Sequence, residues 1–375
     1  MNEDPLNIPP VAVDTLAAAL VAQYRDPRLR QRATMLWGTR GVGKSSIVRQ
    51  LADGEGVPLV DLRLTTIEPV DLRGAIFADD EARRTVWFPP EFLPGPDAPE
   101  GILFLDELTA ADQRLQTSAY SLILDRRVGD YRLPDGWMIV AAGNASFHGA
   151  VSHDMGTALA DRMFHFHVQS TARAFLAHAL ANDFAPEVMA YLQVRPDRLD
   201  DTAAQLAQDH LVGASPRGWE AVSDVLGSSL EERARRVYVQ GRIGAANAAD
   251  FFGVLDEIRT GTNVEALLAA APGEATRRLL PASLDALYGL VYGLVAAVED
   301  AATLDRAFAV VEQFDDLPGT LPARECETLV GELLIERALA RGLDAELLAS
   351  TAFARYGERR DARAGAEGRS AGGGG

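Results

Sequence analysis

Apolar residues recur at helical spacing through residues 11–24 (VAVDTLAAALVAQY), and Asp26-Pro27 then breaks the pattern. A short apolar run, Ala33 to Trp37, predicts a strand that opens directly into a glycine-rich loop. From Ser45 onward (SSIVRQLA) the spacing is again that of a helix. Further buried strands are predicted at Val57 to Leu62, Gly101 to Asp106, Trp137 to Gly143 and Met163 to Val168. Short apolar strands separated by helical or looped segments predict a parallel sheet covered on both faces. Two insertions interrupt the order. Ala75-Phe77 and Thr85-Phe88 are expected to pair as one hairpin, and Arg126-Val128 and Tyr131-Leu133 as another around Gly129-Asp130, a glycine-first pair suited to a type II′ turn. Helical patterns dominate from Thr171 to Tyr356, and no internal repeat is present.

Composition narrows the class. The chain has 375 residues, which at ~100–200 residues per domain suggests two or three units. Its start, MNEDPLNIPP, is acidic and lacks the basic-then-apolar layout of a signal peptide, and its single cysteine, Cys326, excludes an internal disulfide framework and a multi-cysteine zinc site. A cytoplasmic, reducing setting is expected. The most apolar stretch, Leu284 to Val298, carries Asp285 and is shorter than the ~18–20 residues of a membrane span, so it predicts a buried helix and no membrane span. A formal charge of -18 would repel a phosphate backbone, which makes nucleic acid an unlikely partner, although a pore can still focus positive charge. Of the 36 basic residues 35 are arginine, and the only lysine is Lys44. A compact ammonium on a flexible stem reaches between phosphates where a planar guanidinium fits poorly, so phosphate chemistry explains that exception.

Lys44 lies in Gly38-x4-Gly43-Lys44-Ser45 (GTRGVGKS), a phosphate-binding loop between a strand and a helix. Glycines let successive backbone N–H groups converge on phosphate oxygens at the helix N-terminus; Lys44 would neutralise the terminal phosphates and Ser45 would ligate Mg2+. The expected ATP-binding residues are Gly38, Thr39, Arg40, Gly41, Val42, Gly43, Lys44, Ser45 and Ser46. A dinucleotide fingerprint fails, because Gly41-Val42-Gly43 is followed by Lys44-Ser45-Ser46. The strand Ile102 to Asp106 would deliver Asp106 and Glu107 at its C-terminal end, where open α/β sheets bind ligands. Asp106 is then expected to hold magnesium, and Glu107 to orient and deprotonate the attacking water. His165 and His167 share a strand face, but no third ligand accompanies them, and they read as packed or hydrogen-bonded histidines.

Three landmarks follow: Val140-Ala141-Ala142-Gly143-Asn144, Leu159-Ala160-Asp161-Arg162-Met163-Phe164, and Gly213-Ala214-Ser215-Pro216-Arg217. With the two nucleotide motifs they make residues 30–260 resemble an AAA+ ATPase. The DLRG at Asp71-Gly74, WFPPEFLP at Trp87-Pro94, LDELTAAD and LILDRRVGDYRLPDGW resemble the MoxR branch of the helix-2-insert clade. The resemblance implies an α/β P-loop NTPase domain over 1–170, a helical lid over 171–260, and a further helical region over 261–357. The polar, glycine-rich tail over 358–375 is expected to be disordered. It also implies that Asn144 is sensor 1, Arg162 the arginine finger given to a ring neighbour, and Arg217 sensor 2. Arg40 departs from the proline common at its place in the loop and adds a charge near the phosphates. The implied protein is a homo-hexameric, ATP-hydrolysing remodeller or activator of a protein partner, in this family often one with a von Willebrand factor A domain. A nucleic-acid motor and a nucleotide-gated scaffold with negligible turnover are the alternatives.

Overall fold

The computed structural model describes residues 7–81, 83–144, 157–271 and 273–371. Ten strands occur in chain order among them: β1 Pro10–Ala12, β2 Thr34–Trp37, β3 Leu59–Arg63, β4 Ala75–Asp79, β5 Arg84–Phe88, β6 Gly101–Asp106, β7 Arg127–Val128, β8 Tyr131–Arg132, β9 Trp137–Gly143 and β10 Phe164–Gln169. Six of them form one sheet in the order β1-β10-β2-β9-β6-β3, with every pairing parallel. All five expected strands are present within a few residues of their predicted bounds. The edge strand β1 is an addition, taking up the start of the segment read as helix, which begins at Val13.

The central strands β2, β9 and β6 are buried on both faces, as their apolar runs require. Along β6, Ile102 and Phe104 join one core and Leu103 and Leu105 the other, and β9 divides Met138, Val140 and Ala142 from Trp137, Ile139 and Ala141 in the same way. Helices Val13–Arg25 and Lys44–Glu55 cover the first face with Leu16, Leu20, Ile47, Val48 and Leu51. Helix Gln113–Asp125 covers the second with Leu115, Ala119, Leu122 and Ile123. Each fully buried aliphatic or aromatic side chain contributes roughly 1.5–3 kcal/mol. Burial along β6 and β9 therefore outweighs any single polar contact in fixing where these strands end. The register sets Trp37 beside Gly143 and Arg63 beside Asp106, so the chain leaves β2, β9 and β6 along one edge of the sheet.

Both hairpins form, and they differ in setting. β7–β8 packs into the second core through Val128 and Tyr131, and Gly129 takes φ 56 at its turn. The β4–β5 hairpin leaves Ile76, Phe77 and Phe88 exposed. Its base explains the glycine of the DLRG motif: at Gly74, φ is 85 and an added Cβ would stand 2.0 Å from the carbonyl oxygen of Phe88, which only glycine permits.

The chain divides into two compact units, 1–174 with 200–217 and 175–199 with 218–375, rather than into the expected α/β domain, lid and separate C-terminal region. The α/β unit thus reclaims a segment that was assigned to the lid. In the helical unit, Pro186–Val194 packs along Leu284–Ala296, the apolar stretch that reads as a buried helix. Tyr191, Trp219 and Phe251 form a fully buried aromatic cluster with ring centroids 5.1–5.5 Å apart. Among the described residues no helix is long and apolar enough to cross a membrane.

The expectation of disorder from residue 358 is corrected: helix Thr351–Ala371 runs through it, and only 372–375 lie outside the described residues. Composition misled here because the helix is held by its arginines. Arg355 meets Glu312, Arg359 and Arg363 both meet the buried Glu327, and Arg363 also grips Asp315 at 2.7 and 2.8 Å. Charge-assisted bonds to a buried carboxylate order a segment that has little apolar surface of its own.

Candidate active site

The loop after β2 closes on the N-terminus of helix Lys44–Glu55. Gly41 and Gly43 take φ 80 and 98, left-handed values that L side chains resist, and the N-cap Gly43 offers no side chain to the helix's first N–H groups. Those donors and the positive end of the helix dipole face the loop, which is the arrangement that receives a phosphate. Lys44 is folded back over it. Its Nζ donates to the carbonyls of Gly38 (2.8 Å) and Thr39 (2.9 Å) and to Oδ1 of Asn144 (3.0 Å). Burial pushes the Lys44 ammonium down to about 8, with Arg217 and Arg40 lowering it further, and the opposing pull of Asp106 and Glu107 does not restore it. This cation is short of negative charge, so the site fits an anion.

Ser45 Oγ donates to Oδ2 of Asp106 at 3.0 Å, which brings together the two oxygens expected to hold magnesium. Oδ1 of Asp106 accepts the Glu107 N–H at 2.8 Å. Glu107 itself takes φ 58, uncommon for a residue with a side chain, and its carboxylate accepts a bond from the Thr65 hydroxyl just beyond β3. Asn144 leaves the end of β9, the strand between β2 and β6, and so stands between the lysine and the carboxylates. Thr109 clamps it: the Thr109 hydroxyl donates to the Asn144 carbonyl (3.0 Å) and accepts its N–H (3.1 Å). The buried Gln116 in turn holds the carbonyls of Leu108, Thr109 and Ala111.

Of the sequence-predicted residues, the structure brings together Gly38, Thr39, Gly41, Gly43, Lys44, Ser45, Asp106, Glu107 and Asn144. Val42 is buried beneath the loop, while Arg40 and Ser46 are exposed on it. Arg217 is exposed beside the loop, and a Cβ added at Gly41 would lie 3.2 Å from that of Arg217. Arg162 is exposed just before β10, apart from this cluster. Thr65, Thr109, Gln116 and Asp200 were missed. Their residue types carry no signal, and only Thr109, three residues past Asp106, lies inside a motif. His165 is structural: its Nδ1 accepts from the Trp37 indole at 2.9 Å, so Nε2 carries the proton given to the Ala160 carbonyl at 2.8 Å. Among the described residues no three potential ligands of the His, Cys, Asp and Glu types gather as a metal site.

A scan against protein-family models finds no match, and neither does a search of curated proteins. Among solved structures, NtrX from Brucella abortus in complex with ADP is 16% identical, with a TM-score of 0.37, over 84% of this chain and 68% of that one. A RuvB mutant from Thermotoga maritima is 14% identical, with a TM-score of 0.37, over 72% of this chain and 86% of that one. At these values the likeness carries no argument.

Proposed function

We propose that this chain is an ATPase of the AAA+ type. The observation that carries the reading is the joining of three neighbouring strand ends, where Lys44 reaches Asn144 and Ser45 reaches Asp106. Lys44 and the helix N-terminus bind and neutralise the terminal phosphates, and Ser45 with Asp106 would hold Mg2+, which when bound shields the phosphate charge. Glu107 orients the attacking water and accepts its proton, while Thr65 fixes the starting position of that carboxylate. Asn144, held rigid by Thr109, directs its amide toward the reacting end. An oriented base and preorganised charge are what phosphoryl transfer demands of a protein, since bond breaking itself needs little help.

The finer reading follows the sequence resemblance: a MoxR-like hexameric ring that remodels a protein partner, with Arg162 serving the neighbouring protomer and Arg217 reporting the nucleotide state. It is supported by the exposure of Arg162, the closeness of Arg217 to Gly41, the -18 charge, and a hairpin that presents Ile76, Phe77 and Phe88 to solvent. The deciding experiment measures nucleotide affinity and steady-state hydrolysis of wild type and Glu107→Gln, with and without DNA and RNA at low and physiological salt. Glu107→Gln is expected to bind ATP normally and to lose turnover. Near-normal turnover in that variant would sink the assignment of the base. Severalfold stimulation by nucleic acid, steeply weakened by salt, would replace the remodeller with a motor. Normal binding with negligible wild-type turnover would mark a scaffold.

A further inference from the structure

Thr39 is held from two sides. Its carbonyl accepts from Lys44 Nζ, and its hydroxyl donates to Oδ2 of Asp200 at 3.0 Å. Asp200 opens the 200–217 segment that belongs to the α/β unit, and its other oxygen accepts from the Thr202 N–H (3.1 Å) and hydroxyl (2.5 Å). The next residue closes that segment into a loop. Asp201 accepts the Ala214 N–H at 2.6 Å on Oδ1, donates its own N–H to the Ala214 carbonyl at 3.2 Å, and takes Gln205 Nε2 at 2.9 Å on Oδ2. Three residues beyond Ala214 stands Arg217, against Gly41 of the phosphate loop. The closed loop is thus tied to the phosphate loop at its start by one carboxylate and delivers a guanidinium to it at its end.

We propose that Asp200 is a positioning residue for the triphosphate, fixing through Thr39 the place at which Arg217 meets the phosphate loop. This rests on the phosphate-loop reading above. A guanidinium on an unrestrained loop would sample many positions, whereas distinguishing three phosphates from two needs it at one. Asp200 supplies that restraint without touching the nucleotide, because a hydroxyl bond to a carboxylate is charge-assisted and stronger than one between neutral groups.

The test compares Thr39→Val, Asp200→Ala and Asp200→Asn, the last keeping an acceptor oxygen, each alone and with Arg217→Ala, reading ATP and ADP dissociation constants beside turnover. Asp200→Ala and Thr39→Val should each reduce the preference for ATP over ADP, and the turnover, by about tenfold or more, the size of one lost charge-assisted bond. In Asp200→Ala the ADP affinity should stay within about twofold, and Asp200→Asn should recover most of the loss. The Thr39→Val/Asp200→Ala pair should be no worse than either change alone, and neither change should add to Arg217→Ala, because all three break one linkage. An unchanged ATP-to-ADP preference, or effects that add to that of Arg217→Ala, would overturn the proposal. So would an equal loss of both nucleotides with a lowered melting temperature, the mark of a purely structural bond. A wild-type protein that binds neither nucleotide would instead overturn the phosphate-loop reading, and this proposal with it.

Discussion

Lys44 in the α/β unit and Arg195 in the helical unit are both partly buried cations with several partners, yet their surroundings act on them in opposite senses. Arg195 grips Asp285 with two bonds of 2.7 and 3.3 Å, lies 3.7 Å from Asp250 and covers the Tyr191 ring, and its pKa is raised, first by the Asp285 bond. Lys44 has three neutral acceptors and its pKa is lowered, first by burial. A charge that has already found its counterion is structural, and one held short of a counterion is ready for an incoming anion. The same contrast separates the units. Lys44, Ser45, Asp106, Glu107 and Asn144 gather where β2, β9 and β6 end, while Arg195, Asp250, Asp285 and Tyr191 of the helical unit are matched to one another beside its aromatic cluster. Substitutions in the first should therefore cost activity, and in the second stability.

The largest effect expected on this view is that of Arg162→Ala. Arg162 is exposed, outside the phosphate cluster, and so available to another protomer. A finger supplied in trans adds about 10³–10⁵ in rate, about 4–7 kcal/mol, so the variant should bind ATP, melt at the wild-type temperature and hydrolyse almost nothing. Mixed with Lys44→Ala protomers it should regain part of its turnover, since a site with an intact loop can borrow an intact finger. Confirmed mixed rings without recovery would count against the trans role, and an Arg162→Ala protein with near-normal turnover would make it an ordinary surface arginine.

Next in size is Phe251→Ala, which tests the other side of the contrast. Phe251 is fully buried against Tyr191, Trp219 and Phe252. Deleting it removes a large apolar ring and leaves a cavity, at a cost of about 3–5 kcal/mol. Denaturant unfolding should show the loss while nucleotide affinity, set by the α/β unit, changes less than about twofold. A comparable fall in ATP affinity with unchanged stability would break the division between the units.

The sequence was most legible where chemistry restricts residue type. Gly38 to Ser45 and Asp106-Glu107 were expected from their own patterns and Asn144 from the resemblance, and Lys44, Ser45, Asp106 and Asn144 meet in the fold; the apolar strands announced the parallel sheet. The supporting residues were silent. Thr65, Thr109 and Asp200 act by a single hydroxyl or carboxylate aimed across the fold, and such roles leave no local pattern. The 358–371 segment misled for a related reason. Its apolar content is too low to pack, but Arg359 and Arg363 find Glu327, which lies more than thirty residues away in sequence. Long-range pairing cannot be read from composition. The return of 200–217 to the α/β unit was hidden in the same way, since the Thr39–Asp200 bond spans 161 positions.

The smallest effect concerns Cys326, which is fully buried in helix Ala323–Ala340 and is the only cysteine in the chain. Burial pushes its thiol up to about 11; Glu325 pushes the same way, and the hydrogen bond with Tyr288 opposes them without prevailing. The folded state therefore keeps its proton at a pH where the unfolded chain, with an ordinary thiol, has lost it. Stability falls with rising pH wherever the native state binds more protons. The contribution is complete below the ordinary thiol range and is lost as pH climbs toward 11. Between pH 9 and 10 this thiol alone should account for a loss of about 1 kcal/mol. Tyr288, pushed up to about 12 by burial, adds to the loss in the upper part of that window, where an ordinary tyrosine of the unfolded chain begins to ionise. Cys326→Ser, which keeps a hydroxyl in place of the thiol but does not ionise, should flatten the slope between pH 9 and 10 while lowering stability at pH 7. Urea unfolding followed by helical circular dichroism across that range measures it. The native thiol should also resist alkylation at pH 8 with or without nucleotide, because the helical unit must open before the sulfur is reached. An equal slope in wild type and Cys326→Ser, or fast labelling of the folded protein, would show that this part of the helical unit is not the closed core on which the comparison with the α/β unit depends.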